Sequence, residues 1–133
     1  MFTSLDIGAS ALAAHRTRMD TIASNVANIS VTRSADGRIE PFRRRMALLA
    51  PQADAAGSPG VRVAQIVADP SPFRSVYEPG HPDADEAGYV KYPNIDLAME
   101  MVNMMEASRA YEASVTMMET TKAMLNSSLR LIA

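Results

Sequence analysis

The chain has 133 residues, 47% of them hydrophobic and 21% charged, with a formal net charge of −2 from 13 basic and 15 acidic side chains. That length suits one domain with a core rather than two, and the near-balanced charge supplies no global field for holding nucleic acid or an anionic membrane. There is no cysteine, which excludes disulfides, thiolate zinc sites and cysteine nucleophiles.

The first twenty residues, MFTSLDIGASALAAHRTRMD, lack a basic leader, and Asp6, His15, Arg16 and Arg18 interrupt any apolar run. A cleaved signal peptide is therefore not expected, and no stretch approaches the length of a membrane span. Steps of three and four from Leu5 meet Leu5, Gly8, Leu12, His15, Met19, Ile22, Val26 and Ile29, six of the eight apolar and none proline. This spacing predicts one amphipathic helix of about six turns within residues 1–30. Thr3 or Ser4 is its expected cap, with Asp6 near the positive end of its dipole.

Proline and glycine concentrate in residues 30 to 93. The alternation at Val61, Val63 and Gln65 and the run FRRRMALLA predict strands, separated by turns at Asp36-Gly37, Gly57 to Gly60 and Pro79-Gly80. Residues 31–93 thus read as a small β-rich insert. Its basic run, Arg43 to Arg45, is flanked by Glu40 and the apolar MALLA, which suits a solvated or interfacial strand and not a nucleic-acid surface.

The stretch VYEPGHPDADEAGYV, residues 76 to 90, gathers one histidine and four acidic residues among Pro79, Gly80, Pro82 and Gly88. Asp83, Asp85 and Gly88 fit the first, third and sixth positions of a calcium loop, but the fifth is Ala87 and the twelfth is Asn94. A transition-metal site would need more than His81, Asp83 and Asp85, because the other histidine, His15, lies on the N-terminal helix. The expected reading is a stiff turn in which prolines preset φ, glycines take positive φ and aspartates bond back to nearby amides. No nucleophile-elbow or phosphate-loop pattern occurs, so neither catalysis nor a cofactor is expected.

From Leu97 the same count gives Leu97, Met101, Met104, Ser108, Tyr111, Val115, Met118, Lys122, Leu125, Leu129 and Ile132, nine of eleven apolar. This predicts a long helix over residues 94–133, with Asn94 as its capping candidate after Pro93 and Asp96 in its first turn. Seven of the ten methionines, at 99, 101, 104, 105, 117, 118 and 124, lie on it. Flexible, polarizable thioethers suit a packing surface better than a copper site here. A straight helix over residues 94 to 131 would be roughly 57 Å long, against a diameter of roughly 36 Å for a compact globule of this chain length. The molecule is either elongated, with apolar helix surface left for a partner, or an ordinary antiparallel helical pair on the β insert.

The segments DTIASNVANIS (20 to 30), VYEPGHPDADEAGYVKYPNID (76 to 96) and EMVNMMEASRAYEASV (100 to 115) resemble those of the bacterial flagellar basal-body rod proteins, the proximal-rod type designated C. The resemblance spans nearly the whole chain. It implies an α+β subunit whose terminal helices pair in a coiled-coil-like manner. It also implies a structural axial protein of the periplasmic rod, exported without a cleaved signal and built into a tube that transmits torque. Implied partners are copies of itself and homologous rod proteins, with the inner-membrane ring and export gate at the rod base. Neither nucleic acid nor direct lipid anchoring is implied.

By residue, Ala23, Asn25, Ala27 and Asn28 match the family's helix-ending motif, and Met101, Ala107, Ser108, Arg109, Tyr111 and Glu112 match its C-terminal motif. The assembly residues so expected are Leu5, Leu12, Met19, Ile22, Asn25, Val26 and Asn28 on the first helix. On the second they are Leu97, Met101, Met104, Ser108, Arg109, Tyr111, Val115, Met118, Leu125 and Leu129. Pro79, Gly80, Pro82, Asp83, Asp85 and Gly88 form the turn that sets where the second helix starts. After Asn28 the chain carries more arginine than the family pattern. A secreted adaptor and a hydrolase centred on His81, Asp83 and Asp85 are the competing readings.

Overall fold

The computed structural model describes residues 2–53 and 59–132. Two long helices enclose four strands: α1 (Phe2–Ala27), β1 (Arg45–Ala53), β2 (Pro59–Ala68), β3 (Arg74–Tyr77), β4 (Tyr89–Tyr92) and α2 (Leu97–Ile132). The strands form two separate antiparallel pairs, β1 with β2 and β3 with β4. The fold is therefore α+β, with the small antiparallel insert between terminal helices.

Helix α1 begins at Phe2 and has no acidic residue in its first turn. Thr3 and Ser4 thus lie inside the first turn instead of capping it, and Asp6 lies beyond it, because no glycine or proline precedes Leu5 to stop helical bonding. The helix ends at Ala27, short of the expected residue 30. There the ladder tightens: the Asn28 amide is shared between the carbonyls of Ser24 (3.1 Å) and Asn25 (3.2 Å), and Ile29 N–H reaches Val26 O at 3.3 Å. The Asn28 side chain closes the end by donating to Ser24 O at 2.7 Å, so Ile29 belongs to the turn.

In the β1–β2 hairpin Leu48 pairs with Gln65 and Leu49 with Val63. Ala64 is left over as a bulge, which bends β2. Of the turn expected at Gly57 to Gly60, residues 57 and 58 lie outside the described residues, while Pro59 and Gly60 belong to β2. The Asp36-Gly37 turn is present: Gly37 has φ 78° and donates to Ser34 O at 2.9 Å.

Helix α2 starts at Leu97, and its cap is Asp96, not Asn94. Asp96 Oδ1 accepts from Ala98 N–H at 2.9 Å, and Asp96 O takes the first helical bond from Glu100 N–H. Asn94 is instead drawn away by the insert, as described below. At 1.5 Å per residue α1 is about 39 Å long and α2 about 54 Å.

The helices run antiparallel, since Gly8 lies against Met117 and Met118, Met19 against Ser108, Arg18 against Glu106 and Asn25 against Glu100. A Cβ on Gly8 would come 2.6 Å from Met118 Cγ, so glycine there lets the two helices approach closely. The β1–β2 hairpin also packs on α1, where Val61 N–H donates to Ser10 Oγ at 3.1 Å. Among the described residues the buried apolar core is small, with Ala14, Ile22, Val90, Ile95 and Ala107, and Pro93 is buried beside them. Thr21, Asn25, Thr32, Asp83 and Glu100 are buried with it.

The face of α2 that packs on α1 follows the periodic stripe only in part. Its two buried positions on α2 are Glu100 and Ala107, one charged and one small, neither of which a count of large apolar residues selects. Met104, Ser108, Tyr111, Val115, Met118 and Leu125 are half-buried, whereas Leu97, Met101, Arg109 and Leu129 are exposed. On α1, Ile22 and Asn25 are buried and Leu5, Leu12, Met19 and Val26 half-buried, as is Asn28 just after it.

Candidate assembly interface

The junction of the three segments is polar. Glu100, one turn into α2, is fully buried. Its Oε1 accepts from Arg44 Nε at 2.7 Å and its Oε2 from Asn25 Nδ2 at 2.9 Å. Asn25 also pairs with the backbone of Arg45 on both sides, its Nδ2 donating to Arg45 O at 2.8 Å and its Oδ1 accepting from Arg45 N–H at 2.9 Å. The primary amide thus takes the place of a neighbouring strand at the start of β1, satisfying an edge that would otherwise bury unmade bonds.

Arg44 extends the network into the insert. Its Nη1 meets Asp69 Oδ2 at 3.2 Å, and its backbone N–H donates to Asn94 Oδ1 at 2.9 Å. Asn94 Nδ2 in turn donates to Ser71 O at 3.1 Å and Asp69 O at 3.3 Å. Arg43 donates to the same two carbonyls, each at 2.9 Å, with its guanidinium 4.2 Å from the Phe73 ring centre. Burial opposes the Arg44 charge, but the hydrogen bonds and charges of Glu100 and then Asp69 more than offset it, so its pKa is raised. Asp69 is held below the usual carboxylate range, chiefly by hydrogen bonds from Ser71 and further by Arg44. Of the arginine run, Arg43 and Arg44 are half-buried, and Arg45, which starts β1, is exposed. Arg44 ties the insert to the base of α2, Arg43 holds the insert together at residues 69 and 71, and Arg45 lies 5.3 Å from the Phe42 ring centre.

The turn of residues 78–88 joins β3 to β4 and does not lead directly into α2, whose start is capped by Asp96; within it Asp83 and Asp85 have separate tasks. Asp83 is buried, accepting at Oδ2 from Thr32 Oγ1 at 2.7 Å and at Oδ1 from Arg33 Nε at 2.6 Å. This fastens the turn to the segment that follows α1. Asp85 Oδ1 accepts from the amides of Ala87 (2.9 Å) and Tyr89 (2.8 Å), and His81 Nδ1 from the amide of Asp83 (3.0 Å). These bonds occupy both Asp83 carboxylate oxygens, Asp85 Oδ1 and His81 Nδ1.

Of the turn glycines, Gly88 has φ 84° and Gly80 has no positive φ. A Cβ at Gly88 would stand 2.9 Å from the Tyr77 ring, so that position alone needs glycine on both counts. Pro79 and Gly80 occupy the centre of the turn closed by His81 N–H to Glu78 O at 3.0 Å. Pro82 sits in the next turn, closed by Ala84 N–H to His81 O at 3.0 Å.

Hydrogen bonds from Arg33, then from Thr32, lower the Asp83 pKa. A carboxylate with a depressed folded-state pKa adds stability that is present above its unfolded value and lost as pH falls through the folded one. Attachment of the β3–β4 hairpin should therefore hold at neutral pH and loosen below about pH 4, where free aspartate titrates. Amide exchange at Val90 followed against pH checks this, and Asp83→Asn should flatten that acid limb; an unchanged limb would assign it to other carboxylates.

Helix α2 leaves many apolar side chains uncovered, interspersed with exposed charges such as Glu106, Arg109, Glu119 and Lys122. Leu97, Met99, Met101, Val102 and Met105 near one end and Met124, Leu129, Leu131 and Ile132 at the other are all substantially exposed. Among the described residues no helix is long and apolar enough to cross a membrane. Of the expected assembly residues, the structure gathers Ile22, Asn25, Met104, Ser108, Tyr111, Val115 and Met118 into or beside the helix–helix seam. It leaves Leu97, Met101, Arg109 and Leu129 outside it. Glu100 and Arg44 are absent from the expected set; a lone acid at a position otherwise facing the seam was the available signal.

Two family models match the chain: the flagella basal body rod protein family over residues 5–33 and the flagellar basal body rod FlgEFG protein C-terminal family over residues 86–131. The flagellar basal-body rod protein FlgC of Bacillus subtilis is 41% identical over 145 residues, covering 98% of this chain and 97% of that protein. Its counterpart in Borreliella burgdorferi is 39% identical over 150 residues, with 99% and 97% covered. That of Salmonella typhimurium is 43% identical over 129 residues, with 95% and 93% covered.

Proposed function

The chain belongs to the flagellar basal-body rod protein family of type C and is a structural subunit of the proximal rod; from that premise we propose how it assembles. The terminal helices are the axial part. They pack in a coiled-coil-like manner with those of copies of this chain and of homologous rod proteins, and the insert of residues 31–93 faces outward. The molecule is elongated in the assembled tube, which transmits torque across the periplasm from the inner-membrane ring and export gate at its base. The chain reaches that site without a cleaved signal peptide, and we assign it no catalysis.

The observation that carries this reading is the uncovered apolar face of a helix much longer than its partner. Of the apolar residues along α2, only Ala107 is fully buried within the chain, so the helix alone does not satisfy its own surface. Asn25, Ala107 and Tyr111 hold the pair together, while Leu97, Met101 and Leu129 meet neighbouring subunits.

Val102, 53% exposed on that face, provides the test. Val102→Asp should leave the isolated chain's far-UV circular dichroism unchanged while abolishing rod assembly and swimming in cells. A motile strain with normal basal bodies would sink the proposal.

A further inference from the structure

The methionines fall into two groups. Met19, Met46, Met104 and Met118 are half-buried; Met19 Sδ accepts from Ser108 Oγ at 3.6 Å across the helix seam, and Met118 packs against Gly8. Met117 stands between the groups, 37% exposed, with its sulfur held by Thr121 Oγ1 at 3.8 Å. Met99, Met101, Met105 and Met124 are open, between 54% and 63% exposed. The sulfurs that accept hydrogen bonds among the described residues are those of Met19 and Met117, so the open four carry bare thioethers. Met105 also lines a surface hollow of about 270 Å³ with Val102, Glu106 and Arg109, which admits a molecule the size of water.

A thiolate would meet a peroxide first, but the chain has no cysteine, which leaves the exposed thioethers as its accessible two-electron donors. The sulfur lone pair attacks one oxygen of hydrogen peroxide, and the O–O bond breaks. The proton on the attacked oxygen passes to the leaving one, which departs as water; sulfur becomes a sulfoxide and peroxide takes up its two electrons. The helix seam uses none of the four open sulfurs, so the pair of helices survives the change. What changes is the outside of α2. Leu97, Met101 and Met105 follow one another at four-residue intervals and share a face. A sulfoxide oxygen there must shed its water and find a donor whenever that face is covered.

We propose that Met99, Met101, Met105 and Met124 are a peroxide-sensitive modification site, through which oxidation marks a folded subunit and keeps it out of the rod. The reaction takes place on the free chain, before neighbours cover Met101. It is reversible, because methionine sulfoxide reductases restore the thioether from either epimer. Leucine would fill nearly the same volume without this chemistry. Methionine at the open positions therefore makes the surface of α2 conditional on its redox state, which packing alone does not require. Exclusion from the rod rests on the rod reading; the oxidation itself does not.

The chemistry is tested on the purified chain with limiting hydrogen peroxide, mapping sulfoxides by mass spectrometry and following the helices by far-UV circular dichroism. Sulfoxide is expected at Met99, Met101, Met105 and Met124 before Met19, Met104 and Met118, with the helical signal unchanged and the oxygen removed by the reductases. Equal rates in the two groups, or helix lost as oxygen enters, would overturn the site. The consequence is read in cells from two variants: Met99→Leu, Met101→Leu, Met105→Leu and Met124→Leu together, and the same four positions changed to Gln, which is polar like the sulfoxide. The leucine variant should enter isolated basal bodies as the unchanged chain does, and the glutamine variant, folded by circular dichroism, should be lost from them. Glutamine chain present at the unchanged level, or leucine chain excluded, would overturn the proposal and leave the rod reading standing. Basal bodies that lack even the unchanged chain would overturn the rod reading and with it the exclusion, whatever the peroxide map shows.

Discussion

Glu100→Ala should lower folding stability by about 3 kcal/mol, at the low end of what breaking a buried ion pair costs. The loss has two parts. Asn25 Nδ2 loses one of its two acceptors, and the Arg44 guanidinium keeps only Asp69 while being largely shielded from water. That Arg44 retains Asp69 and some exposure places the figure at the low end. Urea denaturation of the purified chain measures it, and a change under about 1 kcal/mol would mean that the network is ornamental. Replacing both partners, Arg44→Met with Glu100→Leu, should cost less than the two single changes summed, since neither charge is then stranded.

The second large effect is expected at Asn25. Asn25→Leu keeps the volume but removes three hydrogen bonds: two to the Arg45 backbone and one to Glu100. Leaving a buried amide, a carbonyl and a carboxylate oxygen short of partners should cost roughly 3 kcal/mol. The loss has an address. The Arg45 amide, now protected by a side chain and not by a strand, should exchange freely in the variant while the amides of α2 around Ala107 stay protected. Uniform loss of protection would instead show that the whole fold had gone with it.

Much of this architecture is legible in the sequence because it follows from spacing. Leu5 to Val26 and Leu97 to Leu129 recur at helical intervals, and proline and glycine confine the irregular chain to the middle. What spacing does not carry is direction. Leu97 and Met101 satisfy the period as well as Met104 does, yet they point away from α1, because the seam is set by Glu100 and Ala107. A buried carboxylate reads as surface until its partners are known, and those partners lie at Asn25 and Arg44, far off in the chain. The same gap explains the cap. Asn94 and Asp96 suit the role equally by residue type, and only the insert's demand on Asn94 decides between them.

The antiparallel pairing puts Phe2 and the far end of α2 together, while the polar junction of Asn25, Arg44 and Glu100 lies at the opposite end. Seen as a machine part, the subunit is a tuning fork with its stem at that junction. A pull on the two prong tips would peel the helices apart one contact at a time, beginning at Gly8 and Met118, and reach the stem last. A load entering α2 at Leu97 and leaving at Ile132 runs down one prong, along a backbone with neither glycine nor proline. The same molecule should therefore be soft to peeling and stiff along its axis.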